Sequence, residues 1–168
     1  APVPGFDGVL VAGLARDGGL YLPEAWPTFS ANEVRTFAHL TYPELAVRVM
    51  APFMGERAGG LEEIVADAYR DFGHDEVAPL VEFAPGEWML ELFHGPTLAF
   101  KDHAMQFLGP LFNRVLGDLG ERIPVICATS GDTGPAALEA CRARQNIEMF
   151  IPPRSEPPRV GKGVRARW

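Results

Sequence analysis

The feature that most constrains the fold is a strand-helix-strand pattern in the last third of the chain. Residues Ile123 to Thr129 form a continuous apolar run, which is typical of a buried strand in a parallel sheet. The spacing predicts a helix over Pro135 to Arg144 and a second strand over Ile147 to Ile151. Parallel strands joined by a helix need a right-handed crossover. The pattern therefore predicts an α/β layer.

The first 75 residues or so have a helical pattern instead. Ser30 to Glu33 has the spacing of a capping box at a helix start, and Thr41 to Glu44 repeats it. The second of these helices is predicted to run to about Met54, where Gly55 stops it. A third helix is indicated by apolar residues at spacings of three and four, namely Leu61, Ile64, Val65, Ala68 and Phe72.

Strand patterns begin after Pro79. Short runs at Leu80 to Phe83 and Trp88 to Phe93 precede a helical stretch over Asp102 to Leu119, which we expect Gly109 and Pro110 to interrupt. We therefore divide the chain into three parts. Residues 1–78 form a mainly helical N-terminal region, residues 79–152 form part of an α/β domain, and residues 153–168 are expected to be a disordered tail rich in proline and arginine.

Charge and composition narrow the possible partners. The chain of 168 residues has 22 acidic and 15 basic side chains, so it lacks the basic surface that nucleic acid or an anionic membrane would need. No apolar stretch approaches the ~20 residues of a membrane-spanning helix. Cys127 and Cys141 are too few for a disulfide scaffold and lack the spacing of a zinc site. We expect a cytoplasmic protein that acts on a small molecule and binds no metal, with both cysteines buried.

One candidate binding segment, TSGDTG, spans Thr129 to Gly134 where a predicted strand gives way to a helix. Its glycines allow the backbone to approach a ligand closely, its hydroxyls can donate hydrogen bonds, and a helix N-terminus attracts anions. A carboxylate or phosphate would suit this turn. The alternative is an ordinary strand-to-helix turn in which Asp132 or Thr133 caps the helix.

A second candidate segment, FHGPTLAFKD, spans Phe93 to Asp102. It contains Lys101, one of only two lysines in a chain that uses arginine thirteen times. Lysine can lose its proton and attack a carbonyl group, whereas arginine stays charged. The segment therefore suggests an amine kept for Schiff-base chemistry. The alternative is a surface lysine paired to Asp102.

These two segments, together with DGGLYLPE at Asp17 to Glu24, resemble threonine synthases. Members of that family are pyridoxal-phosphate (PLP) enzymes of the tryptophan-synthase β-subunit-like fold. The resemblance runs from about Gly5 to Ile151. It implies the N-terminal helical region and the first part of the cofactor domain of such an enzyme.

The resemblance also implies roles for individual residues. Lys101 matches the lysine that holds PLP as an internal aldimine, and Asp132 stands where related enzymes have an asparagine near the cofactor ring. The substrate carboxylate would lie in the loop formed by Thr129, Ser130, Gly131, Asp132, Thr133 and Gly134. Phe100 either packs near the cofactor or anchors the loop in the core. The family converts O-phospho-L-homoserine and water to L-threonine and phosphate.

Two histidines flank the lysine segment. His94 and His103 are each a possible proton relay, but a histidine beside a Gly-Pro turn more often makes a structural hydrogen bond. The resemblance implies an apolar or aromatic residue at position 103, and His103 departs from this pattern.

The resemblance breaks near Pro153, and the loop that binds the cofactor phosphate in the family is not found in the sequence. We therefore expect a truncated chain that is inactive alone, exposes its apolar strands and tends to aggregate. The ending resembles an out-of-frame translation of a GC-rich gene, which sequencing the coding DNA would test. Two other interpretations stay open: a non-catalytic product of a decayed gene, or another PLP enzyme of the cysteine synthase or threonine dehydratase type.

Overall fold

The computed structural model describes residues 5–129 and 131–150. Its first part is helical, as predicted. Helices α1, α2, α3 and α4 span Phe6–Ala12, Ala31–Phe37, Tyr42–Met54 and Leu61–Tyr69. A short 3-10 turn over Gly55–Ala58 separates the last two. Helix α1 was not predicted, because it is short, lies between two glycines and has no capping side chain.

Both predicted helix starts are confirmed. At α2, the Glu33 carboxylate accepts from the Ser30 backbone N–H at 2.8 Å, while the Glu33 N–H donates to the Ser30 hydroxyl at 3.2 Å. At α3, the backbone N–H of Thr41 donates to Glu44 at 2.7 Å. These contacts satisfy N–H groups that have no partner inside the helix.

The core lies between α3, α4 and the long helix that follows. The predicted apolar face of α4 is buried, and Leu61 and Val65 are fully enclosed. Phe72 lies beyond the end of α4, where it packs against the core but is only partly buried. The core cluster consists of Met54, Leu61, Ile64, Val65, Ala68, Tyr69, Val77, Leu111 and Val115.

The two predicted strands after Pro79 form an antiparallel hairpin. Strand β1 spans Leu80–Ala84 and β2 spans Glu87–Leu90, so β2 ends three residues before the predicted boundary. Gly86 turns the chain with a positive φ of 77°. The hairpin exposes large apolar side chains that a small monomer would normally bury, namely Leu80, Val81, Phe83, Trp88, Met89 and Leu90.

Helix α5 spans Asp102–Leu119 without interruption, so the predicted break at Gly109 and Pro110 was wrong. Proline costs a helix one hydrogen bond, but tertiary packing can outweigh that cost. Both residues are buried. Gly109 lies directly against the main chain of Ala140 in the neighbouring helix α6, Thr133–Cys141, where a side chain would have no room.

The strand-helix-strand unit is confirmed. Strand β3, Ile123–Ile126, pairs in parallel with β4, Ile147–Phe150, and α6 connects them. The expected burial of β3 was wrong, because its residues alternate between partly buried and exposed, and Ile126 is 75 % exposed. Cys127 and Cys141 are half-buried rather than buried. Residue Ile151 and the tail at 153–168 lie outside the described residues.

The fold thus joins a mainly helical N-terminal region to a βαβ unit, with α5 in contact with both. No helix among residues 5–129 and 131–150 combines the length and hydropathy required to cross a bilayer.

Candidate active site around Lys101

The segment that carries Lys101 is a compact turn built around a buried carboxylate. Asp102 is completely buried, and its two oxygens accept hydrogen bonds from a single residue, Thr97. The Thr97 backbone N–H lies 2.8 Å from one oxygen, and the Thr97 hydroxyl lies 2.8 Å from the other. Gly95 packs against the Asp102 side chain so closely that a Cβ at position 95 would overlap it. The turn from residue 95 to residue 102, called the lysine turn below, is thereby closed on itself.

Lys101 lies at the end of this turn and directly before α5. Its backbone is already helical, with φ −62° and ψ −21°, and its Nζ lies 5.0 Å from the centre of the Phe100 ring. A cation over an aromatic face is a favourable contact. Lys101 forms no ion pair among the residues that the structure describes, since the Asp102 carboxylate bonds Thr97 instead. The alternative of a surface lysine paired to Asp102 was therefore wrong.

The side chain that anchors the turn differs from the expected one. Phe100 is 57 % exposed, so its interpretation as a core anchor was wrong. Ala99 is buried in its place, and Leu98 adopts a positive φ of 59°, which is unusual for a residue with a side chain. Sequence reasoning assigned Asp102 only as a surface partner for Lys101. The available signal was a glycine and a threonine shortly before an aspartate at a helix start.

The TSGDTG turn leads from β3 into α6. The Gly131 N–H donates to the Thr129 hydroxyl at 3.4 Å, and the Gly134 N–H donates to the Gly131 carbonyl at 3.3 Å. Asp132 occupies the position before the helix, but its side chain forms no capping bond, so the capping alternative for Asp132 was wrong. The Asp132 side chain is exposed. Ser130 lies outside the described residues.

The lysine turn and the TSGDTG turn both end at the N-terminus of a helix, and those two helices, α5 and α6, pack together. Within the described part of the chain, neither hydrogen bonds nor ion pairs connect Lys101 with Thr129 or with residues 131–134. The packing of α5 on α6 thus links the two turns through their helices, and their joint role in one site stays a prediction.

His94 makes the structural contacts expected of a histidine beside a Gly-Pro turn. Its Nε2 lies 2.7 Å from a Glu91 carboxylate oxygen, and its backbone carbonyl accepts from the Gly73 N–H at 2.8 Å. Its ring also packs near the rings of Phe93 and His74. These contacts hold the segment between β2 and the lysine turn.

His103 points away from solvent into an aromatic cluster. Its Nδ1 lies 3.5 Å from the Tyr42 hydroxyl, and its ring centre lies 5.1 Å from that of Phe72. Its Nε2 is buried and has no hydrogen-bond partner among the described residues. Burial lowers the pKa of His103, because a charged imidazolium would lose its hydration there. The ring therefore serves as a packed, neutral side chain behind the lysine turn.

Comparisons with known proteins place these elements in a family context. Residues 1–69 match a family model described as the threonine synthase N terminus. The chain is 51 % identical over 153 residues to the threonine synthase of Pseudomonas aeruginosa, and this match covers 90 % of the chain. It is 36 % identical over 162 residues to the threonine synthase of Saccharomyces cerevisiae, with 87 % of the chain covered.

Solved structures agree with these matches. A crystal structure of PLP-bound threonine synthase from Brucella melitensis superimposes with a TM-score of 0.86 at 52 % identity, over 90 % of this chain. The yeast threonine synthase structure superimposes with a TM-score of 0.84 at 34 % identity, again over 90 % of this chain. The chain spans about a third of the length of these relatives: 33 % of the Pseudomonas protein, 32 % of the Saccharomyces protein and 33 % of each solved chain.

Proposed function

The chain belongs to the threonine synthase family, whose N-terminal part it matches, and from this premise we propose that it carries the lysine-bearing part of a PLP-dependent lyase. The complete protein would convert O-phospho-L-homoserine and water to L-threonine and phosphate. The segment of 168 residues is expected to be inactive alone. We further propose a division of the chain into residues 1–78, 79–152 and 153–168, and a cytoplasmic location.

The observation that carries this proposal is the environment of Lys101. A lysine can condense with an aldehyde only as a free amine, and a neighbouring carboxylate would favour the charged form. The adjacent carboxylate, Asp102, is buried and bonded to Thr97, so it does not engage the amine. The amine lies instead beside the exposed aromatic ring of Phe100. These residues fit the aldehyde end of PLP.

When bound, PLP supplies an electron sink that stabilises negative charge at the substrate Cα. We assign this chain's own residues the following work. Lys101 Nζ would hold the cofactor, and as a free amine it would move protons at the substrate Cα and Cβ. Phe100 would offer an aromatic face to the cofactor ring, and Asp132 would bind near that ring.

The substrate carboxylate would bind at the turn before α6. Hydroxyl and backbone N–H donors at a helix N-terminus suit an anion, because the helix dipole adds a partial positive charge there. The residues that we assign to this role are Thr129, Ser130, Gly131, Asp132, Thr133 and Gly134.

Reductive labelling tests the assignment of Lys101. The purified chain is mixed with PLP, whose aldehyde joins an amine with loss of water, and borohydride then reduces the product to a stable secondary amine. Peptide mass spectrometry compares Lys101 with Lys162, the only other lysine. We expect label mainly on Lys101, lost in Lys101→Ala and retained in the matched variant Lys162→Ala. Equal labelling of both lysines would overturn the assignment.

A chimera tests the reaction. The part of the Pseudomonas aeruginosa protein that aligns with residues 5–150 is replaced by this chain's residues, a reasonable exchange at 51 % identity. We expect the chimera to release phosphate from O-phospho-L-homoserine, and the same chimera with Lys101→Ala to release none. Deamination of L-threonine or sulfide incorporation without phosphate release would indicate a threonine dehydratase or cysteine synthase instead. Soluble chimera with no activity would favour the decayed-gene interpretation.

A further inference from the structure

Asp102 is the only buried charged residue among the described residues, and sequence reasoning gave it no role in chemistry. We propose that Asp102 is a positioning residue for Lys101: its contact with Thr97 closes the turn and thereby sets where the Lys101 amine lies. This inference rests on the proposed function, because it concerns the amine that would hold PLP.

The burial of this carboxylate needs an explanation. Burying a carboxylate is costly unless hydrogen bonds or an opposite charge compensate for the lost water. Asp102 has no cationic partner among the described residues, and its compensation comes from the two Thr97 donors at 2.8 Å. It also lies in the first turn of α5, where the helix dipole favours a negative charge. The carboxylate is therefore held by the turn and by the helix at the same time.

The same contact constrains the residues between its two partners. Thr97 and Asp102 are bonded side chain to backbone and side chain to side chain, so the chain from 97 to 102 forms a closed loop. Two further bonds tighten it: the Leu98 N–H donates to the Gly95 carbonyl, and the Asp102 N–H donates to the Ala99 carbonyl, both at 3.0 Å. Leu98 keeps its unusual positive φ inside this loop. Lys101 lies inside this loop, directly before its closing residue Asp102, so the loop restricts the Lys101 backbone.

Space around the carboxylate is also limited. Gly95 packs so closely against Asp102 that any side chain at position 95 would overlap the carboxylate. Because the backbone is held in this way, the Cα atom of Lys101 stays at a constant position. Such positioning raises the reactivity of a group toward a bound partner, because less entropy is lost on reaction.

The competing interpretation is that Asp102 merely stabilises the start of α5. Both interpretations predict lower stability when the carboxylate is removed. They differ in what happens when only the Thr97 hydroxyl is removed, since Thr97 lies outside α5 and its backbone donor would remain. If Asp102 positions Lys101, removal of the Thr97 hydroxyl should change the reactivity of Lys101 while α5 stays formed.

The test measures the rate of PLP labelling at Lys101 relative to Lys162, alongside hydrogen exchange of the α5 amides. The variants are Asp102→Asn, which keeps the size but loses the charge, and Thr97→Val, which keeps the shape but loses the hydroxyl. Thr97→Ser keeps the hydroxyl, and Asp75→Asn removes an exposed carboxylate as a control. We expect the ratio to fall about tenfold in Asp102→Asn and severalfold in Thr97→Val. It should return to the unmodified value in Thr97→Ser and stay there in Asp75→Asn.

The outcomes separate this inference from the proposed function. If the unmodified chain labels both lysines equally, the proposed function fails first. If it prefers Lys101 and the preference survives in both Asp102→Asn and Thr97→Val, the positioning role is overturned while the proposed function stands. If Asp102→Asn does not fold, the pair Thr97→Val and Thr97→Ser decides. A loss of labelling in Thr97→Val that only accompanies loss of α5 protection would also overturn the positioning role.

Discussion

Gly109 lies directly against the main-chain carbonyl of Ala140, at the place where α5 meets α6. A Cβ at position 109 would overlap that carbonyl, and backbone cannot move aside as a flexible side chain can. The contact explains why a glycine occurs in the middle of an uninterrupted helix. Gly109 allows α5 to approach α6 more closely than a residue with a side chain would.

Replacing Gly109 with alanine is therefore expected to destabilise the chain, although alanine favours helix formation. The added methyl group forces α5 and α6 apart, at a cost of about 1–3 kcal/mol. Urea unfolding of dilute protein measures the loss. Gly59→Ala is the matched control, since its nearest neighbour would lie 3.9 Å from the new Cβ. An unchanged midpoint for Gly109→Ala would contradict the packing described here.

Arg57 is expected to hold α1 on the helical core. It donates to both carboxylate oxygens of Asp7 in α1, at 2.6–3.0 Å, and also pairs with Asp118 in α5. The hydrogen bond to Asp7 raises the pKa of Arg57 most, and the hydrogen bond to Asp118 raises it further. Because the group is partly exposed, Arg57→Gln should cost about 1 kcal/mol.

Hydrogen exchange of the α1 amides gives the measurement for Arg57. We expect faster exchange in Arg57→Gln and an intermediate rate in Arg57→Lys, which keeps the charge but loses the planar fork. Exposed Arg16→Gln serves as the control. If all three variants protect α1 equally, the Arg57 bridge does not hold that helix.

The capping contact at α2 predicts a local effect. Ser30→Ala removes the hydroxyl that accepts from the Glu33 N–H at 3.2 Å, and loss of such a cap costs about 1 kcal/mol. Since α2 buries none of its residues, the effect should appear as roughly fivefold faster amide exchange within α2 and not in global unfolding. Thr28→Ala, in the loop before the helix, should have no effect.

His103 predicts a pH dependence of stability. Burial lowers the pKa of His103 from its ordinary value of 6.5, so the unfolded chain binds this proton more tightly than the folded chain does. The contribution is therefore fully present above about pH 6.5 and is lost as the pH falls through the lower folded-state pKa. The urea midpoint of unfolding should fall as the pH is lowered from 7.5 to 5. This fall should be less steep in His103→Phe than in the unmodified chain. Parallel profiles would show that His103 does not carry the dependence, and exposed His39→Gln should leave the profile unchanged.

The exposed apolar side chains of the hairpin and of β3 and β4 predict self-association. Phe83 is 60 % exposed, Trp88 55 % and Ile126 75 %, and apolar strand surfaces of this kind pair with other chains. The average molar mass measured by light scattering should rise with protein concentration, and Phe83→Lys should lower it. A monomer with one sharp urea transition over the whole concentration range would contradict this expectation.

Several features were predictable because they depend on neighbours in the sequence. The capping contacts of Ser30 and Thr41, the buried face of α4 and the parallel pair β3 and β4 all follow from short-range spacing. The segment that carries Lys101 was selected from its residues, and its role as the cofactor lysine stays a prediction. Helix α1 was missed because it has neither a capping side chain nor a long apolar stripe.

Other features depend on residues that are distant in the sequence. The close packing of Gly109 is decided by Ala140, thirty-one residues later in the chain. The burial of Asp102 depends on nearer residues, because its side chain contacts Gly95 and Thr97, seven and five residues earlier. Gly95 and Thr97 were an available local signal, but spacing alone does not distinguish an aspartate that pairs with its neighbouring lysine from one that turns inward.

The sequence by itself determined most of the helices and strands and the family, because periodicity, caps and motifs are properties of short stretches of chain. The tertiary structure alone decided which carboxylate was withdrawn from Lys101, which glycine allowed two helices to touch and which apolar strands stayed exposed. The physical reason is that burial and close packing are set by every element that surrounds a residue.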